Sequence, residues 1–157
     1  MLQTQKMEYF LEWGYFGLFV SSFLAATVLP LSSELVLSVV LAKQYSLVLS
    51  IFLATLGNWL GGLSSYGLGR LAKWSLLERF FGIKETQVKK MKVQISRWGS
   101  TLALLCWLPI VGDLFAVGLG FFRVDLLKVS LWMLVGKLFR YILWGTLTLW
   151  GLNFFLV

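Results

Sequence analysis

The sequence predicts an all-α integral membrane protein built as an inverted repeat, each half a re-entrant helical hairpin followed by a transmembrane helix. Three observations carry this expectation. Of 157 residues, 59% are apolar and 13% charged, with a mean hydropathy of +0.82, which is more apolar surface than one soluble core can hide. Residues 28–35 (Val-Leu-Pro-Leu-Ser-Ser-Glu-Leu) and 107–114 (Trp-Leu-Pro-Ile-Val-Gly-Asp-Leu) each set a proline four positions before a carboxylate, and the two lie 79 apart. At the same offset Gly57 falls on Gly136, Asn58 on Lys137 and Gly61 on Arg140, so polar or small positions recur inside apolar runs. Duplicated membrane proteins place their sites where such broken helices meet.

Residues 14–42 are mostly apolar and are interrupted by Pro30, Ser32, Ser33 and Glu34. The run is long for one crossing, which takes about 20 residues, and short for two. Two half-depth helices of about 12 residues, broken at mid-membrane, use this length, with Ser32, Ser33 and Glu34 serving the freed backbone groups. Leu47–Leu71 is a full-length span, and Gly57, Gly61, Ser65 and Gly69 form a small-residue ridge that lets another helix approach closely. Residues 73–97 are polar yet keep Trp74, Leu77, Phe80 and Ile83, as helical pieces at a membrane interface do. One membrane domain, 1–157, is therefore expected to hold repeat 1 (about 14–71), an amphipathic linker (72–99) and repeat 2 (about 100–155). Residues 101–122 repeat the first design around Pro109, Gly112 and Asp113. At about 33 Å of helix they could also cross outright, and the duplication favours the hairpin. Residues 126–155 make a long last span that carries Lys137 and Arg140 one turn apart.

Charge sets the expected sidedness. The net charge of +7 is concentrated: Arg70, Lys73, Arg79, Lys84, Lys89, Lys90, Lys92 and Arg97 are eight of the fourteen basic residues. Cytoplasmic loops hold such an excess, so 70–97 is expected in the cytoplasm, touching anionic lipid headgroups, and nucleic acid is not expected as a partner. A hairpin crosses zero times and the next span once, so the second half is inverted relative to the first. Arg123 and Lys128 then join the cytoplasmic side, while Lys6 and Lys43 face outward. Between Met1 and Trp13 there is one lysine against Glu8 and Glu12 and no small-residue cleavage site, so a removable signal peptide is not expected.

Several chemistries are disfavoured. With no histidine there is no His-based triad, metal site or proton relay, and the single Cys106 leaves no intrachain disulfide; no metal or other cofactor is expected. Glu34 and Asp113 are the first candidates for function. An apolar setting favours the neutral carboxyl, so each can take up a proton and release it when water or a cation arrives, as a proton-coupled carrier requires; each can also cap the half-helix that follows it. Lys137 and Arg140 share a helix face and should pair with acids or attract an anion such as a phosphate headgroup. Glu34 with Arg140 and Asp113 with Lys137 are possible pairings, between which the sequence does not choose. Asn58, Pro30, Pro109 and Gly112 are secondary positions.

The stretch at 21–30 (Ser-Ser-Phe-Leu-Ala-Ala-Thr-Val-Leu-Pro), Ser33-Glu34, Leu56-Gly57-Asn58 with Gly61-Gly62, Trp107-Leu108-Pro109 with Val111-Gly112-Asp113, and residues 136–141 (Gly-Lys-Leu-Phe-Arg-Tyr) resemble the YqaA-like branch of the DedA (SNARE-associated, VTT-domain) membrane family over about residues 15–145. The resemblance implies a multi-pass protein of a bacterial-type inner membrane with two re-entrant elements, and a proton-coupled flippase of a lipid phosphate such as undecaprenyl phosphate, not an enzyme. It implies an essential acid at Glu34. It also implies arginines around the second proline, where this chain has Cys106 and Gly112. The partners it implies are membrane lipids, a lipid phosphate and protons. Two other readings stand beside it. One is a non-catalytic membrane scaffold or assembly partner using the ridge from Gly57 to Gly69; separately, a homo-oligomer is a possible assembly. The other is an intramembrane aspartyl protease prompted by Gly112-Asp113, though the Gly-x-Gly-Asp element and a second aspartate are missing.

Overall fold

The computed structural model describes residues 2–27, 32–72, 103–108 and 111–156, and every regular element among them is a helix. In order these are α1 (Leu2–Ala25), α2 (Ser33–Ala42), α3 (Leu47–Leu71), a short 3-10 helix (Ala103–Trp107), α4 (Val111–Phe121) and α5 (Leu126–Leu156). Pro30, Pro109 and the linker from residue 73 lie outside the described residues. Both expected hairpin segments are broken, the first between Ala25 and Ser33 and the second between Trp107 and Val111.

One boundary differs from expectation. α1 starts at Leu2, not near residue 14, and runs for 24 residues. Its first half is rich in good helix formers and holds no glycine or proline, so propensity extends the helix past its apolar part. The apolar part alone, Trp13–Ala25, has the expected half-length. Among the described residues, α3 is the one helix both long and apolar enough to cross a membrane. α5 is longer, at 31 residues, but Lys128, Lys137 and Arg140 reduce its apolarity.

The 79-residue offset recurs in the backbone. α3 begins at Leu47 and α5 at Leu126, and α2 ends at Ala42 where α4 ends at Phe121. Gln44 (φ 63) and Arg123 (φ 53), the described non-glycine residues with positive φ, are also 79 apart. Each ends its helix in the same motif. The Gln44 amide donates to the Leu41 carbonyl at 3.0 Å and the Tyr45 amide to Val40 at 3.4 Å; the Arg123 amide donates to Gly120 at 2.9 Å and the Val124 amide to Leu119 at 3.1 Å. These are Schellman caps, in which one left-handed residue turns the chain and satisfies the last carbonyls. Helix entry repeats too, with Ser50 bonded to Ser46 and Val129 to Asp125, both at 3.0 Å.

The chain divides into two compact units, Met1–Gly61 with Lys137–Val157, and Gly62–Gly136. In the first, Leu18, Leu37, Val40, Leu41, Ile51, Ala54 and Tyr141 form the core. α1 crosses α3 so closely that a Cβ at Gly57 or Gly61 would meet the carbonyls of Phe19 or Phe23. In the second, a Cβ at Gly69 would meet the Val117 backbone, and the Tyr66 hydroxyl donates to the Val124 carbonyl at 2.5 Å. The small-residue ridge is thus occupied inside the chain, by α1 at one end and α4 at the other, which removes the surface on which the scaffold reading depended.

Polar groups are buried beside this apolar core, and large apolar side chains lie on the outside. Ser22, Ser33, Asn58, Ser65 and Lys137 are buried, while Leu35, Phe52, Phe139, Leu147 and Trp150 are exposed. Exposed apolar side chains on this scale suit an apolar solvent such as a bilayer.

Candidate functional site

Two polar clusters lie in the first unit, both anchored on the middle of α5. Positions 137, 140 and 141 fall within about one turn, so the polar side chains that α5 lends to both clusters come from one short stretch of it.

The first cluster joins α2 to α5. Glu34 stands in the first turn of α2, and the Arg140 guanidinium meets its carboxylate with Nη2 to Oε1 at 3.1 Å. The two side chains are 13% and 12% exposed, so the pair is mostly withdrawn but still reachable. Beside it the Ser33 and Tyr141 hydroxyls share a hydrogen bond of 2.7 Å, and Arg140 Nη2 also donates to Ser33 Oγ at 3.4 Å. The guanidinium lies 5.1 Å from the centre of the Tyr141 ring, where the aromatic face favours a cation. Holding this geometry takes Tyr141, which is fully buried in the core and so cannot drift.

The second cluster joins α5 to α3. Lys137 is 1% exposed, and its Nζ donates to the Asn58 backbone carbonyl at 2.8 Å and to Asn58 Oδ1 at 2.5 Å. Asn58 Nδ2 in turn donates to the Ser22 carbonyl at 3.0 Å, which ties α1 into the same set. Positions 58 and 137 are the equivalent positions of the two halves, and here they touch. Lys137 was expected to pair with an acid or to attract an anion beside Arg140, and in the structure its ammonium bonds Asn58 within the helix packing. The physical reason is burial, since an ammonium withdrawn from water is stable only on fixed acceptors.

Of the two pairings that the sequence offered, Glu34 with Arg140 is present in the first unit. Asp113 lies in the second unit, half-buried in the first turn of α4. Gly112 is buried there, and a Cβ on it would strike the backbone of Cys106, itself 1% exposed. The positions at which the family resemblance implies arginines are packed against each other, and Gly112 has no room for a side chain. Sequence reasoning missed Tyr141, Ser38, Trp144 and Thr148. Trp144 and Thr148 follow Arg140 at steps of four and Ser38 follows Glu34 by four, a periodicity that would have marked one polar stripe on each helix.

Known proteins place the chain. It is 38% identical over 143 residues to the inner membrane protein YqaA of Escherichia coli and to that of Shigella flexneri, in each case covering 87% of this chain and 92% of the relative. It is 39% identical over 134 residues to an uncharacterized protein of Haemophilus influenzae, covering 80% of this chain and 81% of that one. No family model matches the chain, and no solved structure matches it. Identity at this level over nine-tenths of a relative, together with the exposed apolar surface, leads to one conclusion: the chain belongs to the YqaA family of inner membrane proteins.

Proposed function

We propose that the chain is a multi-pass carrier that moves a lipid phosphate across the inner membrane with protons, as its resemblance to DedA proteins implies. The observation that carries this reading is the Glu34–Arg140 pair, mostly withdrawn from solvent between two apolar helices. Charges in such surroundings are expensive to keep and, in membrane proteins, commonly mark a transport path. Arginine offers a planar fork that suits a phosphate, and the carboxylate beside it competes for the same donors. A proton on Glu34 neutralises that competitor and releases the guanidinium, so proton and phosphate bind together. By linkage, each raises the affinity for the other. Glu34 thus acts as the coupling group, Arg140 as the headgroup ligand, and Ser33 and Tyr141 hold both in position. Lys137 and Asn58 fix the packing behind them. The inverted repeat supplies the alternating access, with 70–97 on the cytoplasmic side.

Reconstitution in liposomes, with an accessibility assay for undecaprenyl phosphate run with and without a pH gradient, tests the reading. Wild type is expected to move the lipid faster with the gradient, and Glu34→Gln and Arg140→Ala to insert and fold but lose at least nine-tenths of the rate. Undiminished movement in both variants rejects it.

A further inference from the structure

The seam between α2 and α5 is more polar than its packing requires, and the second unit supplies the comparison. Ser38 on α2 and Thr148 on α5 share a hydrogen bond of 3.1 Å. The positions equivalent to them at the 79-residue offset are Val117 on α4 and Gly69 on α3, which pack so tightly that a Cβ on Gly69 would strike the Val117 backbone. The same pairing of helices thus closes without a hydroxyl on either side. Each hydroxyl also reaches the carbonyl one turn back in its own helix, Ser38 to Glu34 at 3.0 Å and Thr148 to Trp144 at 2.9 Å, but close helix contact itself needs a hydroxyl at neither position.

What the first unit has instead is a line of polar groups. Arg140, Trp144 and Thr148 follow one another at four-residue steps, about 12 Å of helix, and Glu34 and Ser38 face them from α2. Trp144 Nε1 donates to Ser38 Oγ at 3.0 Å, and Ser38 Oγ reaches the Glu34 carbonyl at 3.0 Å. The line is open to the outside, since Trp144 is 41% exposed. Leu35, Val39, Leu143 and Leu147, each next in sequence to one of its members, are 45–63% exposed and give it apolar rims. A polar stripe with apolar edges fits an amphiphile, headgroup inward and chain outward, better than it fits a free anion.

We propose that this seam is the path along which the phosphate headgroup of a lipid moves to and from Arg140, its hydrocarbon chain lying over the flanking leucines and Val39. The inference rests on the carrier reading and adds the route. The headgroup exchanges Arg140 for the indole N–H of Trp144 and the hydroxyls of Ser38 and Thr148, so that no stage leaves the phosphate among apolar groups alone.

The test is the full chain in liposomes with undecaprenyl phosphate, comparing wild type, Ser38→Val/Thr148→Val and Trp144→Phe. The double variant removes two hydroxyls where the second unit shows that none is needed for packing, so its thermal midpoint in detergent should stay near that of wild type. Its translocation rate is expected to fall at least tenfold while the binding constant for the lipid changes less than twofold. Trp144→Phe, which removes one N–H and little bulk, should slow movement at least threefold and carries the test should the double variant fail to insert. Inorganic phosphate should move at under a tenth of the lipid rate. An active wild type with both variants within twofold of it overturns the path and leaves the carrier reading standing, and equal movement of inorganic phosphate overturns the role of the rims. A wild type that moves no lipid phosphate overturns both readings.

Discussion

At the residue scale, the first unit keeps Arg140 and Lys137 at different depths and on different partners. Arg140 sits on a carboxylate at 12% exposure, whereas Lys137 sits on a carbonyl and an amide at 1%. A guanidinium spreads its charge over a fork that can exchange one oxyanion for another, while an ammonium on fixed acceptors is a point charge held in place. Asn58 supplies that second arrangement with a backbone and a side-chain acceptor. Asn58→Leu removes the Oδ1 acceptor from a buried ammonium and the donor to Ser22, and hydrogen bonds to charged groups contribute about 1.5–3 kcal/mol each. The variant should therefore lose about 2 kcal/mol or more of stability by equilibrium unfolding in mixed micelles; an unchanged midpoint would show that Asn58 is not the anchor. The charged positions were legible in the sequence because an acid or base inside an apolar run stands out. Their partners were legible only in part: Asn58 stood out as the counterpart of Lys137 at the 79-residue offset and Glu34 with Arg140 was one of the pairings offered, whereas a tyrosine in such a run is unremarkable until folding brings it beside a charge.

At the element scale, close helix contact explains most of the glycines on α3, but not all. A Cβ at Gly61 would meet the Phe23 carbonyl and the Ala26 methyl, while one at Gly67 would meet nothing within 4 Å. Gly61→Leu should push α1 off α3, since overpacking a tight contact costs about 1–3 kcal/mol or more, and Gly67→Leu should be neutral or slightly stabilising, because glycine is a poor helix former. Thermal unfolding of the two variants side by side checks this, and equal effects would refute the assigned contacts. The expectation that a small-residue ridge packs a helix was readable from spacing alone. Which helices use it was not, because the spacing is silent about the partner. The Schellman caps were hidden for a related reason: the left-handed position usually announces itself as glycine or asparagine, and here it is Gln44 and Arg123.

At the scale of the whole molecule, the recurrence at 79 residues ties motif, helix start and cap geometry to one offset. The proposed inversion makes a sharp statement about sidedness. In a chain whose buried Cys106 is replaced by alanine, Gln44→Cys should be labelled by an impermeant maleimide from the periplasm and Arg123→Cys only after the inner face is opened; labelling of both from one side would exclude the inverted plan. Composition by itself pointed to a membrane protein, because apolar side chains at this density are poorly served by water, and the offset motifs marked where its helices break. Only the tertiary structure decided that Glu34 holds Arg140, that Lys137 turns inward to Asn58, and that the ridge of α3 is spent inside the chain. Hydropathy and spacing report what each segment needs from its surroundings, whereas pairing depends on which segments meet, and that is set by the packing of residues far apart in the chain.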